Sequence, residues 1–127
     1  MILLDTHVLL WAAYTPARLS AAVQGMLLDP NNTLCFSVVS LWEVTIKRGL
    51  DRPDFQIDAG VLRQGLLANG YVERAIEGRH ALHVGSLPNI HRDPFDRMLV
   101  AQAAVDAMIL VTADKMVASY DPSIQLI

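Results

Sequence analysis

The sequence has almost no cysteine, no long hydrophobic segment and no excess of positive charge. Its one cysteine, Cys35, cannot form a disulfide within the chain and lies in a strand-like run, which favours a reducing compartment. No apolar run reaches the roughly 18 residues that a membrane-spanning helix needs. The first residues lack a basic segment and place Asp5 in their only apolar stretch, so we expect no signal peptide. These absences predict a cytoplasmic protein that does not associate with a membrane.

The chain also lacks internal repeats, linkers and low-complexity tracts. Its 127 residues, 53% of them hydrophobic and 18% charged, can bury one core but leave little room for a second. We therefore predict a single folded domain that spans residues 1–127.

Short apolar runs alternate with helical segments along the chain. Clear strands are predicted at residues 3–5, 33–36 and 109–112, with weaker strands at 71–76 and 124–127. Helices are predicted at residues 6–13, 20–28, 58–68, 80–87 and 94–106, and from Ser37 or Ser40 to Gly49. Strands that alternate with helices imply parallel pairing and right-handed crossovers. The predicted class is α/β with a mainly parallel sheet.

Four acidic residues stand where a strand ends or a helix begins. Asp5 and Asp114 follow apolar runs, Glu43 lies in the helix after the second strand, and Asp96 opens the helix after Pro94. In an open α/β sheet these positions gather at one crevice. Four carboxylates there cannot all stay charged unless something positive lies among them. The sequence therefore predicts a site for a hard divalent cation, Mg²⁺ or Mn²⁺.

Each acid also has an ordinary explanation. Asp5 and Asp114 could be turn formers or helix caps, and Glu43 could form a surface salt bridge with Lys47, four residues later. Asp93 and Asp96 lie one helical turn apart, and only one need be a ligand. Because Pro94 follows Asp93, we assign Asp93 to capping and Asp96 to the site. One shared site explains four acidic residues at one sheet edge better than four unrelated structural roles do.

The rest of the chain is compatible with a phosphodiester substrate. The four carboxylates exceed the formal net charge of −3, so the remaining residues are slightly basic, and eight of the ten basic residues are arginine. A carboxylate-bound ion activates water and stabilises charge at phosphorus. Thr6 and Thr112 could position a carboxylate or a water, or simply cap helices. Arg97 and Lys115 could meet phosphate, and a solvated salt bridge is the alternative for Arg97.

The histidines and tryptophans are weaker candidates. A zinc triad of His80, His83 and His91 is conceivable, but no cysteine or fixed motif supports it, and surface positions explain them more simply. We expect His7 to pack or hydrogen-bond beneath the site. The remaining large residues are expected in the core: Trp11, Trp42, Met98 and Met108.

Four blocks of the sequence resemble PIN-domain nucleases, and within them the VapC-like toxins of bacterial toxin–antitoxin pairs. The blocks are Leu3–Ala12, Ser37–Val44, His91–Ala103 (HRDPFDRMLVAQA) and Leu110–Lys115. They span nearly the whole chain in the expected order, with no departure at an acidic position.

The resemblance implies a three-layer α/β/α sandwich and an endoribonuclease that depends on Mg²⁺ or Mn²⁺. It maps the catalytic and metal-binding acids of the family onto Asp5, Glu43, Asp96 and Asp114, with Asp5 and Asp96 the firmest ligands. It also implies an RNA substrate, a homodimer and inhibition by a cognate antitoxin protein.

Two other functions deserve comparison. A phosphoacceptor receiver domain shares the size and element order, but it needs an acidic pair after the first strand, where Thr6 and His7 follow Asp5. A non-catalytic RNA- or protein-binding module with a structural metal would use the same acids. Cleavage of RNA that EDTA abolishes would separate this module from the nuclease.

Overall fold

A five-stranded parallel sheet flanked by seven helices forms the protein, as described for residues 1–127 by a computed structural model. The strands are β1 (Ile2–Leu4), β2 (Leu34–Ser37), β3 (Val72–Arg74), β4 (Ile109–Thr112) and β5 (Gln125–Leu126). The helices are α1 (Thr6–Tyr14), α2 (Ala21–Leu28), α3 (Val38–Gly49), α4 (Ala59–Ala68), α5 (Gly78–Val84), α6 (Pro94–Val105) and α7 (Lys115–Ala118). A short 3₁₀ turn at Pro16–Arg18 joins α1 to α2.

The strand order is β3-β2-β1-β4-β5, and every neighbouring pair is parallel. The chain builds outward from β1 in one direction through β2 and β3, then crosses to the other side for β4 and β5. The carboxyl ends of β1 and β4 therefore form the topological switch point, where open α/β sheets bind ligands. This order differs from the 2-1-3-4-5 order of receiver domains, so the topology also argues against that function.

Helices cover both faces of the sheet because its strands are apolar on both faces. On β1, Ile2 and Leu4 belong to one buried cluster, and Leu3 belongs to the other. The first cluster includes side chains from α1, α3 and α4; the second includes side chains from α3, α6 and α7. Strands that are apolar throughout, with successive side chains on opposite faces, are typical of a buried parallel sheet. The predicted three-layer α/β/α sandwich is confirmed.

Most predicted elements are present within one or two residues of their predicted ends. The fifth helix lies at Gly78–Val84 rather than at residues 80–87, because beyond Val84 the backbone forms only i→i−3 turn bonds, which continue to Leu87. The four-residue helix α7 was not predicted. None of the helices is both long enough and apolar enough to cross a membrane.

The prediction that Trp42 lies in the core is wrong. Its side chain is 61% exposed, and its ring packs edge-on against Phe95 at a centroid distance of 5.1 Å. Helix α3 is apolar on more than one face, so periodicity did not identify the buried face. Met108 is buried, and Trp11 and Met98 pack against the core as partly buried residues.

Candidate active site

Asp5 lies at the switch point and is almost completely buried. It caps α1, because its Oδ1 accepts a hydrogen bond of 2.9 Å from the Val8 N–H. Its Oδ2 accepts a short hydrogen bond from the Thr112 hydroxyl. Burial nevertheless raises the pKa of Asp5 above its ordinary value, and the negative charge of Glu43 adds to that rise. Asp5 is thus both a cap and a carboxylate held in an environment that disfavours its charge.

The two threonines have different roles. Thr112 joins the two sides of the switch point, because its Oγ1 donates to Asp5 and accepts from the Asp114 N–H at 3.0 Å. Thr6 lies beside Asp5, but its hydroxyl contacts Ser40 Oγ at 2.9 Å and joins α1 to α3. Thr112 therefore positions a carboxylate directly, whereas Thr6 fixes the packing of the two helices that carry Asp5 and Glu43.

Glu43 is only 4% exposed on α3, although it forms an ion pair. Its Oε2 lies 2.8 Å from Lys47 Nζ, so the predicted salt bridge with Lys47 is present. Its Oε1 is buried and has no hydrogen-bond partner. A buried carboxylate oxygen without a partner is expensive, on the order of 1–3 kcal/mol or more. The salt bridge therefore satisfies only half of this carboxylate, and the other oxygen requires a donor or a cation.

Asp96 lies in the first turn of α6, close to the other carboxylates. Burial, and then repulsion from Asp93, Asp5 and Glu43, raise the pKa of Asp96 to about 7. The charges of Asp5 and Glu43 therefore act on Asp96, whereas the ligand-type atoms that lie within 4.8 Å of one another belong to Asp96, Asp114 and His91. Asp93 caps α6 as predicted, since its Oδ1 accepts from the N–H groups of Phe95 and Asp96 at 2.8 and 3.1 Å.

Asp114 completes the edge of the site from the start of α7. Its Oδ1 accepts from the Met116 N–H at 2.8 Å, and its Oδ2 lies 3.3 Å from His91 Nε2. Partial desolvation acts to raise the pKa of Asp114, but the N–H donors and His91 outweigh it, and the pKa falls below its ordinary value. Asp114 is therefore the carboxylate of this group that most readily stays ionised.

His91 is the functional residue that the sequence patterns did not identify. Its Nε2 lies 3.4 Å from Asp96 Oδ2 and 3.3 Å from Asp114 Oδ2, and ligand-type atoms of the three residues all lie within 4.8 Å of one another. The sequence feature that could have identified His91 is its position two residues before the cap of α6, at the ligand-binding edge of the sheet. The zinc triad of His80, His83 and His91, which the sequence did not favour, does not form, because the only metal-type group in the structure joins His91 to Asp96 and Asp114.

His80 is buried and belongs to a separate polar cluster, contrary to the predicted surface position. Its Nε2 lies 2.9 Å from Asp106 Oδ1, and its Nδ1 accepts the Glu77 N–H. Asp106 also contacts Arg74 at 3.3 Å and Arg79 at 2.7 Å. This cluster joins β3, α5 and the end of α6. His7 is exposed and packs loosely against Trp11 instead of lying beneath the site.

Arg97 binds the protein backbone. Its guanidinium donates to the carbonyls of Pro88 and Val84 at 3.0 and 3.2 Å, and to the Tyr120 hydroxyl at 3.0 Å. Arg97 forms no salt bridge with a carboxylate. Its N–H groups instead hold the loop before α6 through these hydrogen bonds. Lys115 is exposed at the start of α7, next to Asp114.

The donor set fits a hard divalent cation. The site offers carboxylate oxygens from four elements, no thiolate and one imidazole, which matches the oxygen preference of Mg²⁺ and Mn²⁺. The unpartnered Oε1 of Glu43 is the observation that fits best, because a cation would satisfy it. The pKa values of Asp5 and Asp96 are raised, and a bound cation would lower both because it favours the charged carboxylates.

Comparison with known proteins identifies the fold. The PIN domain family matches residues 2–121, so the chain belongs to that family. No curated protein matches the sequence significantly. Among solved structures, the chain is similar to VapBC2 from Rickettsia felis, with 18% identity, a TM-score of 0.67 and coverage of 100% of this chain and 98% of that chain.

Two further structures show the same likeness. VapBC from Salmonella typhimurium gives 14% identity and a TM-score of 0.68, covering 99% of this chain and 96% of that chain. VapBC-1 from nontypeable Haemophilus influenzae gives 19% identity and a TM-score of 0.65, covering 100% and 97%. These neighbours support the resemblance to VapC-like PIN proteins, and at these identities they establish the shared fold.

Proposed function

We propose that this protein is an endoribonuclease that depends on Mg²⁺ or Mn²⁺ and uses residues 1–127 as one nuclease domain. The observation that carries the proposal is the buried, unpartnered Glu43 Oε1 beside Asp5 and Asp96. Membership of the PIN family supports it, because the family match spans residues 2–121 and so includes all four acids. A structural metal alone would not require the acids to lie at the ligand-binding edge of the sheet.

In this proposal Asp5, Glu43, Asp96 and Asp114 hold the ion. Bound there, the ion would supply an activated water and neutralise charge on a scissile phosphate. Thr112 fixes the orientation of Asp5 through their hydrogen bond, and Lys47 holds one oxygen of Glu43. Lys115 is exposed beside the site and is the basic side chain best placed to contact an RNA phosphate.

We further propose that the protein is the toxin of a toxin–antitoxin pair, with a cognate antitoxin as partner and the cytoplasm as its location. The similar structures are VapBC assemblies, and another is described as a toxin–antitoxin complex from Klebsiella pneumoniae. Expression of the chain alone should then arrest growth, and coexpression of a small neighbouring gene product should restore it.

A homodimer is part of the same proposal. Helix α3 and the residue after it expose Trp42, Ile46 and Leu50, which are 61%, 41% and 54% accessible and lie four residues apart. A stripe at this spacing is one continuous apolar face, which is typical of an interface rather than of free surface. Light scattering should give twice the mass of the chain, and Trp42→Lys should reduce it to that of a monomer.

The nuclease proposal is tested by incubating the purified protein with matched RNA and single-stranded DNA of one sequence. We expect RNA cleavage with Mg²⁺ or Mn²⁺, loss of cleavage with EDTA and recovery when the metal is restored. Circular dichroism in EDTA should show the fold unchanged. RNA binding without cleavage under all metal conditions would favour the non-catalytic binding module instead.

A further inference from the structure

His91 joins two carboxylates that come from different parts of the fold. Asp96 belongs to α6, whereas Asp114 lies at the junction of β4 and α7. The Nε2 of His91 lies 3.4 Å from one and 3.3 Å from the other. No other side chain contacts both of these acids. The imidazole is therefore the one side chain that lies within 3.4 Å of both the Asp96 and the Asp114 carboxylates.

The other nitrogen of the ring determines where its proton lies. Nδ1 accepts a hydrogen bond of 3.0 Å from the Asp93 N–H, so it must present a lone pair. A neutral imidazole carries one proton, which then resides on Nε2. That N–H donates a hydrogen bond to Asp114 Oδ2, and Asp96 Oδ2 lies 3.4 Å from the same nitrogen without a hydrogen bond. A nitrogen that carries a proton donates to carboxylates and does not coordinate a metal.

The loop that carries His91 is held from both sides. The His91 N–H donates to the Tyr120 hydroxyl at 2.8 Å, and that hydroxyl donates to the His91 carbonyl at 3.3 Å. Arg97 donates to Tyr120 and to the carbonyls of Pro88 and Val84. Tyr120 itself packs against the second core cluster. The ring is thus fixed at its backbone and at Nδ1, which leaves Nε2 with a defined direction.

We propose that His91 is a positioning residue of the metal site, whose Nε2–H fixes the carboxylate of Asp114 beside that of Asp96 in the arrangement that receives the ion. The inference rests on the proposed metal-dependent function. It assigns Arg97 and Tyr120 to the support of the loop that carries this imidazole. Groups that hydrogen-bond to ligating carboxylates orient them, and their loss weakens metal binding.

Two substitutions separate the two ring nitrogens. In His91→Asn, the amide oxygen can replace Nδ1 as the acceptor for Asp93, but no donor reaches the carboxylates. In His91→Gln, the amide nitrogen reaches the position of Nε2 and keeps the donor. Mn²⁺ binding, followed by the loss of the free-ion signal in electron paramagnetic resonance, should weaken about 10- to 100-fold in His91→Asn and stay near wild type in His91→Gln. Melting temperatures are measured alongside to confirm that both variants fold.

Equal Mn²⁺ affinity in wild type and His91→Asn would overturn the proposal. So would electron spin echo modulation from a directly bound imidazole ¹⁴N, because His91 would then be a ligand. A third measurement needs no metal: ¹⁵N chemical shifts of the His91 ring should show the proton on Nε2, and a proton on Nδ1 alone would disprove the assigned role. If the wild type bound no Mn²⁺, the proposed nuclease function would fail, while the ring shifts would still decide the geometry of His91.

Discussion

The Thr112 hydroxyl donates a hydrogen bond to the Asp5 carboxylate across the boundary between β4 and β1, although 107 residues separate them in the chain. Both residues are buried, and both lie at the carboxyl ends of paired strands. The same threonine oxygen accepts a hydrogen bond from the Asp114 N–H, so one side chain is hydrogen-bonded to two of the four acidic residues. The geometry of the site therefore depends directly on the register of β1 against β4.

Replacing Thr112 by valine should weaken both the fold and the site. Valine has nearly the same shape but removes the donor to Asp5 and the acceptor for Asp114. We expect the free energy of unfolding to fall by about 1–3 kcal/mol, because a buried carboxylate oxygen loses its partner. Urea unfolding measures this. Thr112→Ser keeps the hydroxyl, loses only the methyl group and should fall less; a valine variant as stable as the wild type would contradict the role of the hydroxyl.

Asp96→Asn should preserve the fold and abolish RNA cleavage. The amide fits the same space but removes a carboxylate that interacts with Asp5 and Glu43, and loss of one electrostatic contributor at a reacting centre costs on the order of 100-fold or more. Initial rates of RNA cleavage and Mn²⁺ titration measure the loss. Asp93→Asn is the matched control, because asparagine caps a helix as well as aspartate does. Activity that survives at position 96 and disappears at position 93 would move the ligand to Asp93.

The metal-free protein should become less stable as the pH rises from about 4 to about 7. The pKa of Asp96 rises from 3.8 in the unfolded chain to about 7 in the folded protein. Between these values the unfolded state releases its proton while the folded state keeps it, so rising pH favours unfolding. Each pKa unit is worth about 1.4 kcal/mol, so the effect is at most a few kcal/mol. Urea unfolding in metal-free buffer at pH 5 and pH 8 should show it.

Two variants test the origin of that pH dependence. Asp96→Asn should flatten it, because the titrating group is absent. Asp114→Asn should lower the stability at neutral pH, because the pKa of Asp114 lies below its ordinary value and its folded environment favours the charged form. A pH profile that Asp96→Asn leaves unchanged would assign the dependence to other groups.

Asp106→Asn should destabilise the protein without affecting the acidic site. Its carboxylate accepts from Arg74, Arg79 and His80, and the amide can satisfy only part of these donors. We expect a loss of roughly 1–3 kcal/mol in urea unfolding, with Mn²⁺ affinity unchanged. Asp51→Asn is the control, since Asp51 is exposed and lies 4.0 Å from Arg48, where a pair contributes under about 1 kcal/mol. Equal losses in the two variants would contradict the structural role of the buried cluster.

The sequence predicted the central strands well because they are short, wholly apolar runs bounded by polar residues. The edges were harder: β3 spans three partly exposed residues and β5 only two, so neither has a strong pattern. Helix α7 has only four residues, too few to show the helical repeat of apolar side chains. Its cap, Asp114, was found because it follows a strand, and the same reasoning located Asp5.

The residues that sequence reasoning misplaced depend on contacts between distant segments. The burial of His80 follows from Asp106, 26 residues later at the end of α6. His91 approaches Asp114 only after the loop before α6 folds back against Tyr120. The backbone partners of Arg97 are the carbonyls of Pro88 and Val84, which no feature of the sequence near Arg97 indicates. Periodicity and strand-end position carry none of this information, because each depends on residues close together in the chain.

The contact between Trp42 and Phe95 gives the protein a built-in optical reporter. The indole is next in sequence to Glu43, and the phenyl ring is next to Asp96, so the two rings connect the helices that deliver these acids. A shift of one helix against the other changes the surroundings of the partly exposed Trp42 indole. Its emission wavelength and fluorescence intensity should change with them. Metal binding at the proposed site can therefore be followed in the unlabelled protein, with Trp11 of α1 contributing a background.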